Sequence, residues 1–379
     1  MKDLKGLRAE IDAIDSELVP LLQKRLQVAE GVAEVKRVAS SVVSDPKRER
    51  EILTAISERV DPSFARDIRL VYSTLFGVSK ARQRLKVDTD NDFVAFLKTS
   101  AVPALPDLAI VACAGTEGSY AQEAVSRMFE VPTILYFNGF EKVFEAVESG
   151  VCPYGVLPVE NSTAGSVIPV YDLMQKHRFH IVRALKLKIR HMLLANPGAS
   201  LGTVTEIASH PHALAQCAQF LKAHPNIKAV PEVNTAVSAK ELAASGRTDR
   251  AVIASCACAE LYGLTVLDEA IADTAANYTR FICIAREPQV TAKANKICLT
   301  LSLPHRPGSL SAIIAKFASV GVNLTKLESR PEVGTDFEFR FVFEFEASVA
   351  DPDVRALLAE LATDPEIEHF TFLGVFEEV

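Results

Sequence analysis

The sequence predicts a multidomain fold in which an all-α segment precedes an α/β segment and then an α+β segment. Residues 1–90 carry apolar side chains at alternating steps of four and three, the spacing of a long amphipathic helix. Residues 107–288 alternate buried-strand patterns with helical patterns. Residues 295–379 have the order βαββαβ, which is that of a ferredoxin-like domain. A chain of 379 residues is long enough to build separate cores.

Composition and charge exclude several classes of protein. Hydrophobic residues make up 49% and charged residues 23%, which are globular values that exclude disordered and collagen-like chains. No apolar run reaches the ~18 residues that cross a bilayer, and the charged start of the chain lacks the apolar core of a secretory signal. The net charge is −7 without a polybasic stripe, so nucleic acid is not an expected partner.

The cysteine pattern predicts reduced thiols and hence a cytoplasmic protein. Seven cysteines are scattered along the chain, an odd number without a disulfide framework. Cys256 and Cys258 lack a second cysteine or histidine pair with ligand spacing, so we expect no metal site there.

The first predicted helix carries an apolar seam interrupted by a cation. At ~1.5 Å per residue, about thirty residues give a helix of about 45 Å, which a 90-residue segment cannot bury alone, so a second copy is expected to cover it. Arg25 occupies a seam position and requires an anion, because an unpaired guanidinium there is costly. Lys36 lies on the same face as Arg25, whereas Arg8 points elsewhere and would serve this site only from a partner chain. The apolar seam consists of Leu7, Ile11, Ile14, Leu18, Leu21, Val28, Val32 and Val35.

Two further helices are predicted, one from Asp45-Pro46 and one from about Phe64. They add the carboxylate of Glu49 and the neutral side chains of Ser79 and Gln83. Several cations, one carboxylate and two neutral hydrogen-bonding groups suit a small dicarboxylate that reacts unimolecularly. The alternative is a helical dimerisation arm with surface ion pairs, and the composition alone does not decide between the two.

This segment resembles the all-helical chorismate mutase family, whose members are intertwined dimers. The resemblance rests on Leu7-Arg8, Ile11-Asp12, Ile14-Asp15, Leu21-Leu22, Arg25, Lys36, Asp45-Pro46-Lys47-Arg48-Glu49, Ser79 and Gln83. It implies catalysis by Arg25, Lys36, Glu49 and Gln83, with Glu49 and Gln83 near the ether oxygen of chorismate. It also implies substrate contacts from Arg8 of the partner chain, Asp45, Arg48 and Ser79.

The middle segment follows residues 84–106, which lose periodicity, end in Val102-Pro103-Ala104-Leu105-Pro106 and are predicted to be a linker. It opens with a strand, a glycine turn and a helix, which together predict an anion cradle. The turn is Gly115-Thr116-Glu117-Gly118-Ser119-Tyr120, and it lacks the third glycine of a dinucleotide-binding fingerprint. Polar residues then follow strand ends, where ligands of open sheets bind. Ser209 is the predicted cap of a helix that carries Gln216 about two turns on. The alternative for each cluster is capping and turn chemistry.

These clusters together resemble prephenate dehydratase. The matching residues are Gly115, Gly118-Ser119-Tyr120, Val159-Glu160-Asn161-Ser162, Ser209-His210-Pro211, Gln216-Cys217 and Asn277-Tyr278-Thr279-Arg280-Phe281. The resemblance implies two α/β lobes like those of periplasmic binding proteins, with prephenate between them. It implies that Thr279 donates a proton to the departing hydroxyl. Neighbours must polarise the Thr279 hydroxyl, and the candidates are Arg280, Asn161 and Glu160. The implied contact residues are Glu160, Asn161, Ser162, Ser209, Gln216, Asn277 and Arg280.

Two positions depart from the dehydratase pattern. Thr116 replaces the usual proline after the first glycine, and His212 replaces the usual glutamine after Ser-His-Pro. The second change leaves open the discrimination between prephenate and arogenate.

The last segment contains a predicted phenylalanine ladder over residues 336–346, with Glu338, Arg340, Glu344 and Glu346 on its other face. Two short motifs resemble those of the ACT regulatory domain, which binds L-phenylalanine at a dimer interface and inhibits the enzyme. The motif residues, predicted to be allosteric, are Gly308, Ser309, Leu310, Glu328, Ser329, Arg330 and Pro331. The alternative is a domain that only pairs subunits.

The three resemblances follow the order of bifunctional chorismate mutase/prephenate dehydratases of phenylalanine biosynthesis. They imply two activities, an isomerase that converts chorismate to prephenate and a lyase that converts prephenate to phenylpyruvate. They also imply feedback inhibition by L-phenylalanine. No cofactor or metal is implied, and the expected partners are these small molecules and at least one further copy of the chain. The alternatives are a non-enzymatic amino-acid sensor and a monofunctional dehydratase with a structural helical arm.

Overall fold

The computed structural model describes residues 3–38, 43, 45–87, 92–97, 105–332 and 339–379. They form two compact units. One unit contains residues 1–99, 300–341 and 349–371, and the other contains residues 100–299, 342–348 and 372–379. No described helix is both long enough and apolar enough to cross a membrane.

The amino-terminal part of the first unit is helical. Its helices are α1 (Leu4–Val38), α2 (Pro46–Ser57), α3 (Ala65–Val87) and α4 (Asp92–Leu97). Helix α1 runs through Pro20 for 35 residues. Helix α4 was not expected, since residues 84–106 were predicted to be a linker; the part with Val102-Pro103-Ala104 lies outside the described residues.

The apolar seam of α1 is exposed along its whole length in the single chain. All eight of its side chains are accessible, from 41% at Val32 to 70% at Val35. Helix α3 packs against α1 and leaves this seam uncovered. A contiguous exposed apolar stripe of this kind is typical of a surface that another protein covers.

The first lobe of the second unit is built on a mixed sheet with buried residues on both faces. Its elements are β1 (Leu108–Ala114), α5 (Tyr120–Met128), β2 (Val131–Phe137), α6 (Phe140–Glu148), β3 (Tyr154–Asn161), β4 (Gly165–Ser166), α7 (Ile168–Met174) and β5 (His180–Lys188). Strand β1 is parallel to β2 and β3, as expected for an α/β segment.

The second lobe has its own five-stranded sheet, in the order β10-β6-β9-β7-β8. Its elements are β6 (Met192–Ala195), β7 (Glu206–Ser209), α8 (Pro211–Ala215), α9 (Ala218–Ala223), β8 (Lys228–Pro231), α10 (Thr235–Ser245), β9 (Arg250–Ala254), α11 (Cys256–Tyr262) and β10 (Thr265–Asp268). The chain then returns to the first lobe as β11 (Tyr278–Ala285), which is antiparallel to both β3 and β5. The predicted two-lobed α/β architecture is therefore present.

The carboxyl-terminal elements follow the predicted βαββαβ order. They are β12 (Lys296–Ser302), α12 (Ser309–Val320), β13 (Asn323–Pro331), β14 (Phe339–Glu346), α13 (Pro352–Thr363) and β15 (Glu368–Glu378). The strands have the order β13-β14-β12-β15, which is the ferredoxin-like arrangement. Phe343 and Phe345 are fully buried, whereas Phe337 and Glu338 of the predicted ladder lie outside the described residues.

Candidate active sites

The helical segment brings several of its predicted site residues into direct contacts. The guanidinium Nη1 of Arg25 donates to Ser79 Oγ at 3.0 Å, and the same group lies 5.6 Å from the Phe76 ring centroid. The buried Ser79 therefore fixes the direction of the Arg25 side chain. Glu49 Oε1 lies 3.2 Å from Lys80 Nζ, a cation that sequence reasoning missed although it directly follows Ser79.

The remaining predicted residues of this segment make other contacts. Gln83 is buried, and its Oε1 has no hydrogen-bond partner among the described groups. Lys36 Nζ donates to the Val43 carbonyl oxygen at 2.6 Å. Arg48 is exposed beside Glu51 at 3.2 Å, and Asp45 caps α2 by accepting from the Arg48 amide at 3.0 Å.

Arg8 is exposed on α1. That Arg8 contacts the substrate bound by a partner chain stays a prediction.

The second unit assembles a chain of amides where the polypeptide crosses between its two lobes. Asn277 lies in the crossing that leads to β11, and its carbonyl oxygen accepts from the Ile189 amide of the other crossing at 2.9 Å. Asn277 Nδ2 donates to Gln216 Oε1 at 2.9 Å, and Asn277 Oδ1 accepts from Asn161 Nδ2 at 2.9 Å. Asn161 Nδ2 also donates to Thr279 Oγ1 at 2.9 Å. Thus four predicted residues from separate parts of the sequence meet.

The contact between Asn161 and Thr279 determines what the threonine hydroxyl can do. Because an amide N–H donates to Thr279 Oγ1, the hydroxyl keeps its own hydrogen for a further acceptor. The same amide stabilises negative charge that develops on Oγ1 when that hydrogen leaves. The pair is therefore arranged as a proton donor with a built-in stabilising group.

His191 extends the amide chain, and sequence reasoning missed it. Its Nε2 lies 2.8 Å from Gln216 Oε1, and because that oxygen only accepts, Nε2 must carry the hydrogen. Burial lowers the pKa of His191, although the Gln216 contact opposes this, so the ring is neutral near pH 7. The hydrogen bond turns Gln216 Nε2 toward Thr163 Oγ1 at 2.6 Å. The only sequence signal was a histidine directly before a buried strand.

Two predictions about Ser209 and Gln216 were wrong in detail. The cap of α8 is His210, whose side chain accepts from the His212 amide, whereas Ser209 Oγ is buried and donates to the Ile253 carbonyl at 2.7 Å. Gln216 is the residue that ends α8 and does not lie two turns inside a helix. A short helix places its side chain at the lobe crossing.

Ser162 and the glycine turn complete the junction. Ser162 Oγ donates to the Ala276 carbonyl at 3.0 Å and accepts from the Tyr278 amide at 2.9 Å, so it braces the strand that holds Thr279. The Gly118 carbonyl accepts from Ser255 Oγ at 2.7 Å and lies 3.3 Å from Cys258 Sγ. This turn of the first lobe is thus fastened to the start of α11 in the second.

Arg280 does not follow the expectation that it polarises Thr279. It is buried, and its guanidinium pairs with Glu344 at 2.7 Å and with Glu378. Adjacent strand residues point to opposite faces of a sheet, so Arg280 and Thr279 point apart. Glu160 lies opposite Arg280 in the backbone register of β3 and β11, and it is half-buried.

The predicted allosteric residues occupy two elements of the first unit. Gly308, with φ +88°, precedes α12 as its cap, and Ser309 Oγ is buried without a hydrogen-bond partner among the described groups. Leu310 follows on α12. Glu328, Ser329, Arg330 and Pro331 end β13.

Comparison with known proteins identifies the two amino-terminal segments. The model of the prephenate dehydratase family matches residues 111–289. Arogenate dehydratase 2 of Petunia hybrida is 38% identical over 281 residues, covering 70% of this chain and 70% of that protein. The chain belongs to the prephenate dehydratase family. The chorismate mutase type II model matches residues 7–84, so the chain carries a chorismate mutase domain ahead of its prephenate dehydratase domain. Both are enzyme domains.

Other relatives match the chain in part. Arogenate dehydratase 1 of Petunia hybrida is 38% identical over 267 residues, and the chain spans only 63% of that relative's length. The solved structure of prephenate dehydratase from Arthrobacter aurescens in complex with L-Phe is 29% identical, with a TM-score of 0.64. That match covers 71% of this chain and 90% of the solved chain.

Proposed function

We propose that this chain is a bifunctional enzyme of phenylalanine biosynthesis that rearranges chorismate to prephenate and converts prephenate to phenylpyruvate. The observation that carries the proposal is the hydrogen bond from Asn161 Nδ2 to Thr279 Oγ1 at 2.9 Å. It supports Thr279 as the proton donor of the second reaction. The domain boundaries of 1–90, 107–288 and 295–379 belong to the same proposal.

The dehydratase step follows from that contact. The carbon–carbon bond to the ring carboxylate breaks and releases carbon dioxide, and its electron pair aromatises the ring. The carbon–oxygen bond to the ring hydroxyl breaks at the same time, and the Thr279 proton converts the departing hydroxide to water. Asn161 stabilises the oxygen left behind until solvent returns the proton. Ser162, Gln216 and Asn277 hold this pair in place, which supports their assignment to the substrate site.

The mutase step needs binding more than chemistry. Chorismate rearranges without gaining or losing atoms, so catalysis consists of holding the reactive conformer and stabilising charge near the ether oxygen. Arg25, oriented by Ser79, offers a fixed cation, and the Oε1 atom of buried Gln83 has no partner among the described groups. These features support Arg25 and Gln83 as catalytic residues. The same proposal includes Lys36 and Glu49 as catalytic residues, with Arg8, Asp45 and Arg48 as further substrate contacts.

We also propose that the carboxyl-terminal domain is an ACT domain that senses L-phenylalanine. The support is its ferredoxin-like strand order, the buried Ser309 hydroxyl beside Gly308, and the L-Phe complex of the Arthrobacter relative. Phenylalanine bound there would inhibit the dehydratase.

The proposed assembly is at least a dimer, supported by the eight exposed seam residues of α1. Cytoplasmic location stays a prediction from the cysteine content. The Arabidopsis relative arogenate dehydratase 3 is named chloroplastic, which describes that protein.

The test is incubation of the pure protein with chorismate at neutral pH, following chorismate, prephenate and phenylpyruvate by chromatography. Thr279→Ala should abolish phenylpyruvate while prephenate accumulates. Arg25→Ala should stop chorismate turnover and spare the turnover of added prephenate. Loss of both activities in either folded, dimeric variant would contradict the division of labour.

Substrate choice is tested by offering prephenate and arogenate separately. The two differ only in a keto or an amino group on the side chain, so the ratio of their kcat/KM values reports the contact made there. A ratio that favours prephenate supports the proposal, and a ratio that favours arogenate would assign the chain to the activity named in its plant relatives.

A further inference from the structure

Four buried charged side chains form a closed ring behind the strand that carries Thr279. Arg280 Nη1 contacts Glu344 Oε2 at 2.7 Å, and its Nε contacts Glu378 Oε1. Lys296 Nζ contacts the other oxygens of the same two carboxylates, Glu378 Oε2 at 2.9 Å and Glu344 Oε1 at 3.4 Å. Each cation thus bridges both anions, and we call this set the ion ring.

The ion ring is balanced in charge and largely sealed from water. The side chains of Arg280 and Lys296 are each 8% accessible, and that of Glu344 is 6% accessible. Burial acts to raise the pKa of Glu378, but Arg280 and Lys296 lower it to about 2. Removing one member of such a set leaves its partners charged and buried, which is strongly unfavourable. The ring therefore fixes the guanidinium of Arg280 in one position.

The members of the ring come from distant parts of the chain. Arg280 lies on β11 of the dehydratase domain, whereas Lys296, Glu344 and Glu378 lie on β12, β14 and β15. All four belong to the second compact unit. Residues that follow the dehydratase domain in sequence therefore hold β11, the strand that carries Thr279.

The ladder between β11 and β3 is irregular beside Arg280, whereas the ladder between β11 and β5 is regular there. Arg280 pairs with Glu160, but the next residue, Phe281, pairs with Pro158, so one residue of β3 is left over. Bulges of this kind re-aim neighbouring side chains. The extra residue lies in β3, close to the pair formed by Asn161 and Thr279, so a held Arg280 adds a fixed point next to that pair.

We propose that Glu344, Glu378 and Lys296 position the Thr279 hydroxyl by holding Arg280, which acts as a positioning residue and does not bind substrate. The proposal rests on the dehydratase function proposed above. The ring fixes the Arg280 side chain, which fixes the peptide unit between residues 279 and 280. That peptide unit in turn holds Thr279 Oγ1 within reach of Asn161. A shift of about 1 Å at a reacting group costs up to about 100-fold in rate.

The first variant to measure is Glu378→Gln, with Glu377→Gln as its matched control. Glu377 is the neighbouring residue, it lies outside the ring, and its carboxylate is 3.7 Å from Arg183. We expect Glu378→Gln to lower kcat for added prephenate by about 10-fold to 100-fold, with KM within about threefold of the parent value. Glu377→Gln should keep both constants, and rates are expressed per folded molecule.

A milder variant keeps the test decisive if the charge removal prevents folding. Glu378→Asp keeps the charge and shortens the side chain by one methylene group, so it should pull Arg280 and lower kcat by a smaller factor. Arg280→Gln should match Glu378→Gln, and the double variant should lose little more than either single change, because both act through the same contact.

Three outcomes would overturn the proposal. Parent kcat in folded Glu378→Gln, or in Glu378→Asp where the glutamine variant does not fold, would show that the ring does not act on Thr279. A rise in KM without a fall in kcat for Arg280→Gln would make Arg280 a substrate ligand. Fully additive losses in the double variant would show that Arg280 and Glu378 act on kcat independently.

Parallel measurement of Thr279→Ala distinguishes this failure from that of the proposed function. If the parent protein makes no phenylpyruvate, or if Thr279→Ala retains the parent rate, then the function itself is wrong. If Thr279→Ala is inactive while Glu378→Gln and Arg280→Gln keep the parent kcat, only the ion ring proposal is wrong.

Discussion

His191 acts on the candidate dehydratase site through one hydrogen atom. Its Nε2–H donates to Gln216 Oε1, which also accepts from Asn277. Two donors on one oxygen fix the orientation of the glutamine amide, and the remaining amides are then oriented in sequence down to Thr279. The side chain therefore acts at a distance from the reacting atoms.

We predict that His191→Leu lowers kcat for prephenate by about 10-fold to 100-fold, because the amide chain loses its fixed end. His191→Gln should retain kcat within about threefold, since its Nε2 reaches the same acceptor as the imidazole Nε2. Steady-state kinetics with added prephenate checks both variants. Equal losses in the two variants would mean that the imidazole itself takes part.

Sequence reasoning found most residues of this site because together they match the dispersed motif of the prephenate dehydratase family. Asn161, Gln216, Asn277 and Thr279 were named from the sequence, and the structure brings them together. His191 was missed because a single buried polar residue beside an apolar run has no local signature. Lys80 of the helical site was missed because it is one of several cations on α3. The expectation that Arg280 polarises Thr279 was wrong because the partners of Arg280 lie up to 98 residues away in sequence, which no local pattern reports.

At the scale of an element, the turn between β1 and α5 depends on the absence of a side chain. Gly118 has φ +86°, and a Cβ there would lie 2.8 Å from Cys258 Sγ. Gly139 has a similar φ of +96°, but a Cβ at that position would meet no other atom within 4 Å. Alanine substitutions at the two glycines therefore separate two contributions to the free energy of unfolding, that of the backbone conformation and that of close packing.

We predict that Gly139→Ala lowers the free energy of unfolding by about 1–3 kcal/mol through backbone strain alone. Gly118→Ala should cost more, because it adds the clash with Cys258 to the same strain. Urea denaturation measures both, and the double variant Gly118→Ala with Cys258→Ala should recover part of the difference. Equal destabilisation by the two single alanines would show that the close approach costs nothing.

The apolar seam of α1 is an element whose amphipathic pattern was predicted, as was its need for a cover. Leu18 belongs to the seam, whereas the adjacent Val19 is also exposed, at 52%, but lies outside it. Both positions tolerate a charged side chain in an isolated chain. Only Leu18 would carry that charge into an interface between two copies.

We predict that Leu18→Glu shifts the protein from a dimer toward a monomer in sedimentation equilibrium and lowers chorismate turnover at least about tenfold. Val19→Glu is the matched control and should keep the dimer. A dimer that survives Leu18→Glu would place the interface elsewhere on the chain.

At the scale of the whole molecule, the ion ring links stability to pH. Opposing burial, Arg280 and Lys296 lower the pKa of Glu378 from 4.5 to about 2, and Lys186 at 3.2 Å adds a further cation. Glu344, the other carboxylate of the ring, contacts the same two cations. A carboxyl group with a lowered folded-state pKa stabilises the fold above its unfolded value, and this contribution is lost as pH falls toward the folded value.

We therefore predict that the free energy of unfolding decreases between about pH 4.5 and pH 2. In Glu378→Gln the curve should start lower at neutral pH and fall less steeply over the same range. Thermal unfolding followed by circular dichroism across this range measures both. Parallel curves for the parent and the variant would show that Glu378 does not titrate as described.

The order of the elements was predicted well at this scale, because strand and helix periodicities repeat over each segment. The βαββαβ order and the two lobes were both found. The linker over residues 84–106 was predicted wrongly in part, since the short helix α4 has too few residues to show a periodicity. The role of Glu344 was also hidden, because alternation places it among solvated charges, while the fold encloses it.

The ion ring has a consequence for the synthesis of the protein. The ribosome adds Glu378 after Arg280, 98 residues later, which at about 5–20 residues per second is an interval of about 5–20 s. Through that interval the nascent dehydratase domain carries a cation whose set of counter-ions is incomplete, since Glu344 is added before Glu378. The two lobes are complete in sequence before the catalytic strand has its anchor, so the final arrangement of Thr279 is reached only after the last strand has been made.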